Sequence, residues 1–199
     1  MVNLCGRYQF SQELSTEIFQ IIQEVQEKFG TKAANSVRRG EIVPGCKMPV
    51  LLGSDKGSTS ELMVWGFRTA KSLIINARAE TALEKPIFAE SVRYKHCVVP
   101  STGFYEWDGD KRKYLFTMPN DPTLYMAGIH DVRGGIPCFC ILTTAANDSM
   151  REVHNRMPLV LKPEQVESWL HNTEETEVFL KMTPPLLRKE LLDAQIGLW

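Results

Sequence analysis

The chain has 199 residues, 43% hydrophobic and 24% charged, with 23 Lys and Arg set against 24 Asp and Glu for a formal net charge of -1. These values fit one globular domain and exclude net charge as a source of nucleic-acid affinity. No run of about eighteen apolar residues occurs, and the start lacks the basic segment and apolar stretch of a signal peptide, so a cytoplasmic protein with no membrane contact is expected. Five cysteines, an odd number in no regular framework, point to free thiols in a reducing compartment.

The chain opens MVNLCGRYQF. Cys5 sits against flexible Gly6 and charged Arg7, before any recognisable helix or strand, which suits a reactive thiol better than core packing. From Ser11 to Phe29, the apolar residues Leu14, Ile18, Ile21, Ile22, Val25 and Phe29 recur at helical spacing, with Ser11 as cap and Gly30 as stop. The runs MPVLL, ELMVW, SLIIN, HCVVP, GFYEW, KYLFTM, LYMAGI and CFCILTT that follow are short, rich in β-branched and aromatic residues, and bounded by turn formers. They read as strands. Helical patterns return over 148–153, 163–171 and 185–194, with PLVL, another strand, after the first of them. Strands and helices do not alternate strictly, which predicts a compact α+β domain with a largely antiparallel, barrel-like sheet flanked by helices. No repeat or linker divides the chain, so one domain over 1–199 is expected.

Basic residues cluster at Arg38-Arg39, at Arg93-Tyr94-Lys95-His96 and at Lys111-Arg112-Lys113, which permits a local basic groove but equally suits solvated loops. GEIVPGCK, residues 40–47, resembles a phosphate-binding loop, but no Ser or Thr follows the lysine and the next segment reads as a strand. Cys138, Cys140 and the His96-Cys97 pair lack metal-ligand spacing, so neither a metal nor another cofactor is expected. Four polar residues fit a bland role less easily: Asn76 at the end of SLIIN, Glu106 between Tyr105 and Trp107, and His154 and Arg156 before PLVL. By strand alternation Glu106 is either exposed or held in a site, and a lone His154 or Asn76 has an ordinary structural reading too. Combined with a thiol, they make a nucleophile, a carboxylate and an imidazole, the components of covalent catalysis.

CGRYQF, VPG, WGF, INARAET, CVVPSTGFYEW, AGI, LTTAAN and HNRMPLVL, in that order, resemble the SOS-response-associated peptidase (SRAP) family, also described as abasic-site shielding proteins. The motifs run from Cys5 to about Leu161, and the likeness fades over 162–199. The resemblance implies an SRAP-type domain whose N-terminal cysteine cross-links covalently to an abasic site in single-stranded DNA. An open abasic sugar is an aldehyde, and an N-terminal cysteine offers it an amine and a thiol together, so an imine forms and closes to a thiazolidine. An α-amine with pKa about 7.7 to 8.0 is partly neutral and nucleophilic near pH 7. The resemblance assigns Cys5, Asn76, Glu106 and His154 to catalysis: Glu106 handles the amine proton, His154 assists sugar opening and proton transfer, and Asn76 holds the amine and sugar oxygen. It assigns Arg7, Arg78, Arg156 and Thr144 to the DNA backbone and Pro44 and Trp65 to the bases.

The sequence departs from the family where Val2, Asn3 and Leu4 separate Met1 from Cys5, because an acylated cysteine nitrogen forms no imine. Two routes repair this: trimming before Cys5, or a natural start at position 4 through a codon that serves as a bacterial start. The second needs no new chemistry and is preferred. RRGEI before VPG and RTAKS after WGF also differ from the family, and Arg68 and Lys71 are possible replacement phosphate contacts. Two other functions compete with cross-linking: a cysteine autopeptidase, Cys5 with His154 as base, that removes the leader, and a non-covalent single-stranded DNA binder. A monomer is expected.

Overall fold

The computed structural model describes residues 6–192. In chain order the first elements are β1 (Arg7–Phe10), α1 (Thr16–Phe29), α2 (Thr31–Ser36), β2 (Gly40–Ile42), β3 (Lys47–Ser54), β4 (Gly57–Trp65), β5 (Phe67–Arg68), β6 (Leu73–Ile74) and β7 (Asn76–Arg78). Next come α3 (Ala79–Ala82), α4 (Ala89–Tyr94), β8 (His96–Ser101), β9 (Gly103–Trp107), β10 (Lys113–Thr117), β11 (Leu124–Arg133) and β12 (Ile136–Ala145). The described chain closes with β13 (Arg156–Pro158), β14 (Val160–Leu161), α5 (Val166–His171), α6 (Thr176–Lys181) and β15 (Arg188–Leu192).

The pairings β12–β4–β3–β8–β11 return to β12 and so close a five-stranded barrel. All but one are antiparallel: β12 and β4 run parallel. A second sheet, ordered β15–β10–β9–β1–β2, is antiparallel throughout. The expected α+β class with a barrel-like, largely antiparallel core is therefore present. Strand β8 is buried along its whole length. Cys97 and Val99 join one core and Val98 the other, which explains its uninterrupted apolar run.

Helix α1 forms because Ile18, Ile21, Ile22 and Val25 fall on one buried stripe. It starts later than Ser11. The cap is Ser15, whose Oγ accepts the Ile18 N–H at 3.1 Å, while Ser11 hydrogen-bonds Glu13. Gly30, at φ 86°, ends the helix as expected.

Two helical expectations are corrected. Residues 148–153 form turns, because the Asn147 side chain accepts both Ser149 N–H and Ser149 Oγ–H and competes with helical bonding. Residues 188–192 form strand β15, because β10 offers an open edge and the two prolines before it, Pro184 and Pro185, disfavour a helix there. Short elements at β1, α2, α3, α4 and α6 carry too few residues for a periodic signal.

Gly103 lets β10 lie close against β9: an added Cβ would stand 2.6 Å from the Phe116 carbonyl oxygen. Gly103→Ala is therefore expected to lower unfolding free energy by about 2 kcal/mol or more, read from urea denaturation.

Candidate active site

The carboxyl-terminal half of β12 is flanked by β7 on one side and β13 on the other. Asn76, Ala77 and Arg78 pair in parallel with Ile141, Leu142 and Thr143, while Arg156 and Met157 pair with Ala145 and Thr144. This brings Asn76, Arg78, Thr144 and Arg156 into one region of sheet. Asn76 is half-buried. Arg78 is exposed and makes no ion pair among the described residues. The Thr144 Oγ–H reaches towards Glu80 Oε1 at 3.5 Å.

His154 lies just before β13 at the end of the 148–153 turns, half-buried, its N–H on the Met150 carbonyl at 3.0 Å. Its Nδ1 accepts the Arg156 backbone N–H at 3.0 Å. That bond requires a lone pair on Nδ1, so the neutral ring carries its proton on Nε2. Burial lowers the His154 pKa below its ordinary value, and the Arg156 guanidinium acts in the same direction. His154 is therefore a neutral imidazole at pH 7. The loop is anchored from behind by Asn147, whose Nδ2 donates to the Pro184 and Pro185 carbonyls at 2.9 and 3.0 Å, and by Ser149 Oγ, which accepts the Leu187 N–H at 3.1 Å.

Glu106 comes from the second sheet. It is 1% exposed, and by alternation it shares a face of β9 with fully buried Phe104. The inward side of the sequence alternative is thus the one realised. Arg7 is paired with Tyr105, the neighbour of Glu106, so the described chain begins beside the buried carboxylate. Cys5 lies outside the described residues. The opposite face of the sheet is cationic and aromatic: the Arg7 guanidinium lies 5.8 Å from the Trp107 ring centre and the Lys113 ammonium 4.2 Å from that of Tyr105. Glu41 bridges the two cations, with Arg7 Nη1 at 2.5 Å.

Trp65 links the two sheets. Its ring centre is 5.1 Å from that of Tyr8 on β1 and 6.4 Å from that of Phe139 on β12, and its Nε1–H donates to the Ile75 carbonyl at 3.1 Å, one residue before Asn76. Gly66 next to it, at φ 117°, turns the chain where a Cβ would meet Leu73 at 2.7 Å. Trp65 has no exposed surface. The expectation that it stacks on a DNA base is corrected, because a ring with both faces covered offers none to a base. Pro44, by contrast, sits half-exposed in the turn between β2 and β3.

Arg156 is held by bonds to a carboxylate and to the backbone. Its Nη1 and Nη2 donate to Glu80 Oε1 and Oε2 at 2.5 and 2.9 Å, and Nη2 also donates to the Thr143 carbonyl at 2.7 Å. Sequence reasoning missed Glu80, although it stands inside INARAET, because nothing in a linear motif shows which cation a carboxylate meets.

The model of the SOS response associated peptidase (SRAP) family matches residues 4–195, past the last motif quoted above. The chain belongs to that family. It is 28% identical to the abasic site processing protein YedK of Escherichia coli over 177 residues, 84% of this chain and 79% of that protein. It is 31% identical to the abasic site processing protein HMCES of Gallus gallus over 140 residues, 55% of this chain and 42% of that longer one. A crystal structure of a Bacteroides thetaiotaomicron protein superposes with a TM-score of 0.76 at 25% identity, covering 95% of this chain and 92% of that one. No described helix is long and apolar enough to cross a membrane.

Two measurements test this description. Trp65→Ala is expected to cost about 3–5 kcal/mol in denaturation, as a core residue does, where a base-stacking platform would leave stability nearly intact. An NMR titration of the His154 ring is expected to give a midpoint below about 6.5, with neutral ring signals at pH 7.

Proposed function

We propose that the protein captures abasic sites in single-stranded DNA through a covalent thiazolidine on Cys5, when Cys5 is the first residue. The α-amine adds to the open sugar's aldehyde carbon and loses water to give an imine. The thiol sulphur then adds to that carbon, its proton passing to nitrogen, and closes a five-membered ring with the loss of one water overall. Family membership supports this reading, as do relatives named for abasic-site processing. The observation that carries it is a carboxylate 1% exposed on the strand that pairs with the first described residues. A carboxylate so placed suits the handling of protons on an amine that must be neutral to attack. His154, neutral with its Nε2–H free of the Nδ1 bond, is suited to donate that proton to the opening sugar and to take one back in reversal. Asn76 holds the amine or sugar oxygen. Arg7, Arg78, Arg156 and Thr144 contact the backbone, and Pro44 contacts a base.

The test is denaturing electrophoresis after incubation of an abasic single-stranded oligonucleotide with protein starting at Cys5 and with protein starting at Met1. A shifted band from the first alone is expected. Cys5→Ala is expected to abolish it, and Glu106→Gln to slow its formation about 10²-fold. A band undiminished in Cys5→Ala overturns the reading. Cleavage of the Met1–Leu4 leader with no DNA adduct would favour an autopeptidase, and retention of DNA without a denaturation-resistant band would favour a non-covalent binder.

A further inference from the structure

We infer that Glu80 is an internal stand-in for a DNA phosphate, seated on Arg156, and that an incoming strand must displace it. This rests on the reading above that Arg156 lines a DNA channel. A guanidinium has five N–H donors. In Arg156, one Nη1 donor and one Nη2 donor go to the two Glu80 oxygens, and the other Nη2 donor goes to the Thr143 carbonyl. The Nε is buried, with no hydrogen-bond partner among the described residues. One Nη1–H is left, so a phosphate gripped by two parallel bonds has to take the place of the carboxylate.

Glu80 is the exchangeable partner of the pair. The Arg156 side chain is 16% exposed and that of Glu80 44%. Arg156 keeps its bond to the Thr143 carbonyl when the carboxylate leaves, so the guanidinium stays oriented. Glu80 also lines a cleft of about 500 Å³ with Ala79, Leu83, Leu180 and Lys181, which gives a displaced side chain room to turn. The Thr144 hydroxyl points at the same Oε1 that Arg156 Nη1 holds. Two groups assigned to the DNA backbone thus converge on one carboxylate oxygen, as they would on a phosphate oxygen. The consequence is selectivity: non-covalent affinity for intact single strands is held down, and retention depends on the covalent step.

Fluorescence anisotropy of a short undamaged single-stranded oligonucleotide, over a range of salt concentrations, tests the inference. Glu80→Gln is expected to bind on the order of tenfold more tightly than wild type. Its log K against log salt is expected to steepen by about 0.7, the signature of one further phosphate contact. Glu80→Asp keeps the charge but is too short for both Nη groups, and is expected to lie between. Arg156→Ala added to Glu80→Gln is expected to remove the gain. Glu164→Gln makes the same charge change at an exposed carboxylate that does not touch Arg156, and should stay within about twofold of wild type. Equal or weaker binding by both Glu80→Gln and Glu80→Asp overturns the inference, as does a gain that persists without Arg156. If protein starting at Cys5 cross-links abasic DNA while neither variant tightens, only this inference falls. If no protein binds or cross-links the DNA, the channel reading falls with it.

Discussion

The indole of Trp65 is the contact on which the arrangement of the site depends. The barrel and the second sheet are separate hydrogen-bonded units, and Trp65 joins them by packing on Tyr8 of one sheet and Phe139 of the other. Its N–H is spent on the Ile75 carbonyl, which also accepts the Ile141 N–H at 3.1 Å. Asn76 is therefore registered both to β12 and to the ring that supports β1. A buried aromatic held by dispersion on both faces and by one hydrogen bond has little freedom to drift. The position of Asn76 relative to the strand beside Glu106 follows from it.

Most charges of the site are partnered rather than displayed. Arg7 is bridged to Glu41, and Glu41 also meets Lys113. Arg156 is bound by Glu80, whose carboxyl is pushed up by partial burial but held below the usual carboxylate range by the Arg156 hydrogen bonds. Among the three arginines assigned to DNA, Arg78 alone is exposed without an ion-pair partner among the described residues. A chain of net charge -1 thus pairs most of the cations at its site with carboxylates, and its net charge adds no long-range attraction for nucleic acid.

Much of the barrel was legible because its strands are apolar runs with clear boundaries: HCVVP, LYMAGI and CFCILTT became β8, β11 and β12. Closure of the ring was not legible, since the β11–β12 and parallel β12–β4 pairings join residues by register rather than by pattern. The segment 188–192 misled because its leucines fit a helix as well as a strand, and only the open edge of β10 decides between them. Within the site, Glu106 left an even choice between solvent and interior that burial of Phe104 on the same face resolves. The family resemblance assigns Trp65 to the bases, and the tryptophan of WGF says nothing by itself about which rings will cover it. Glu80 and Asn147 were invisible for the same reason: their partners are 76 and 37 positions away in the chain.

The clasp made by Asn147 and Ser149 has a further bearing on how the molecule is built. Through three hydrogen bonds it fastens residues 184–187 to the turn that ends in the imidazole. Strand β15, the last among the described residues, adds itself to the sheet that also contains the buried glutamate. Residues 184–192 are consequently a strap tying the base of the histidine loop to the carboxylate's own sheet. Removing that segment would take away three bonds under the turn before the imidazole and the edge strand of the carboxylate's sheet, and so slacken the geometry between the two side chains without altering either of them.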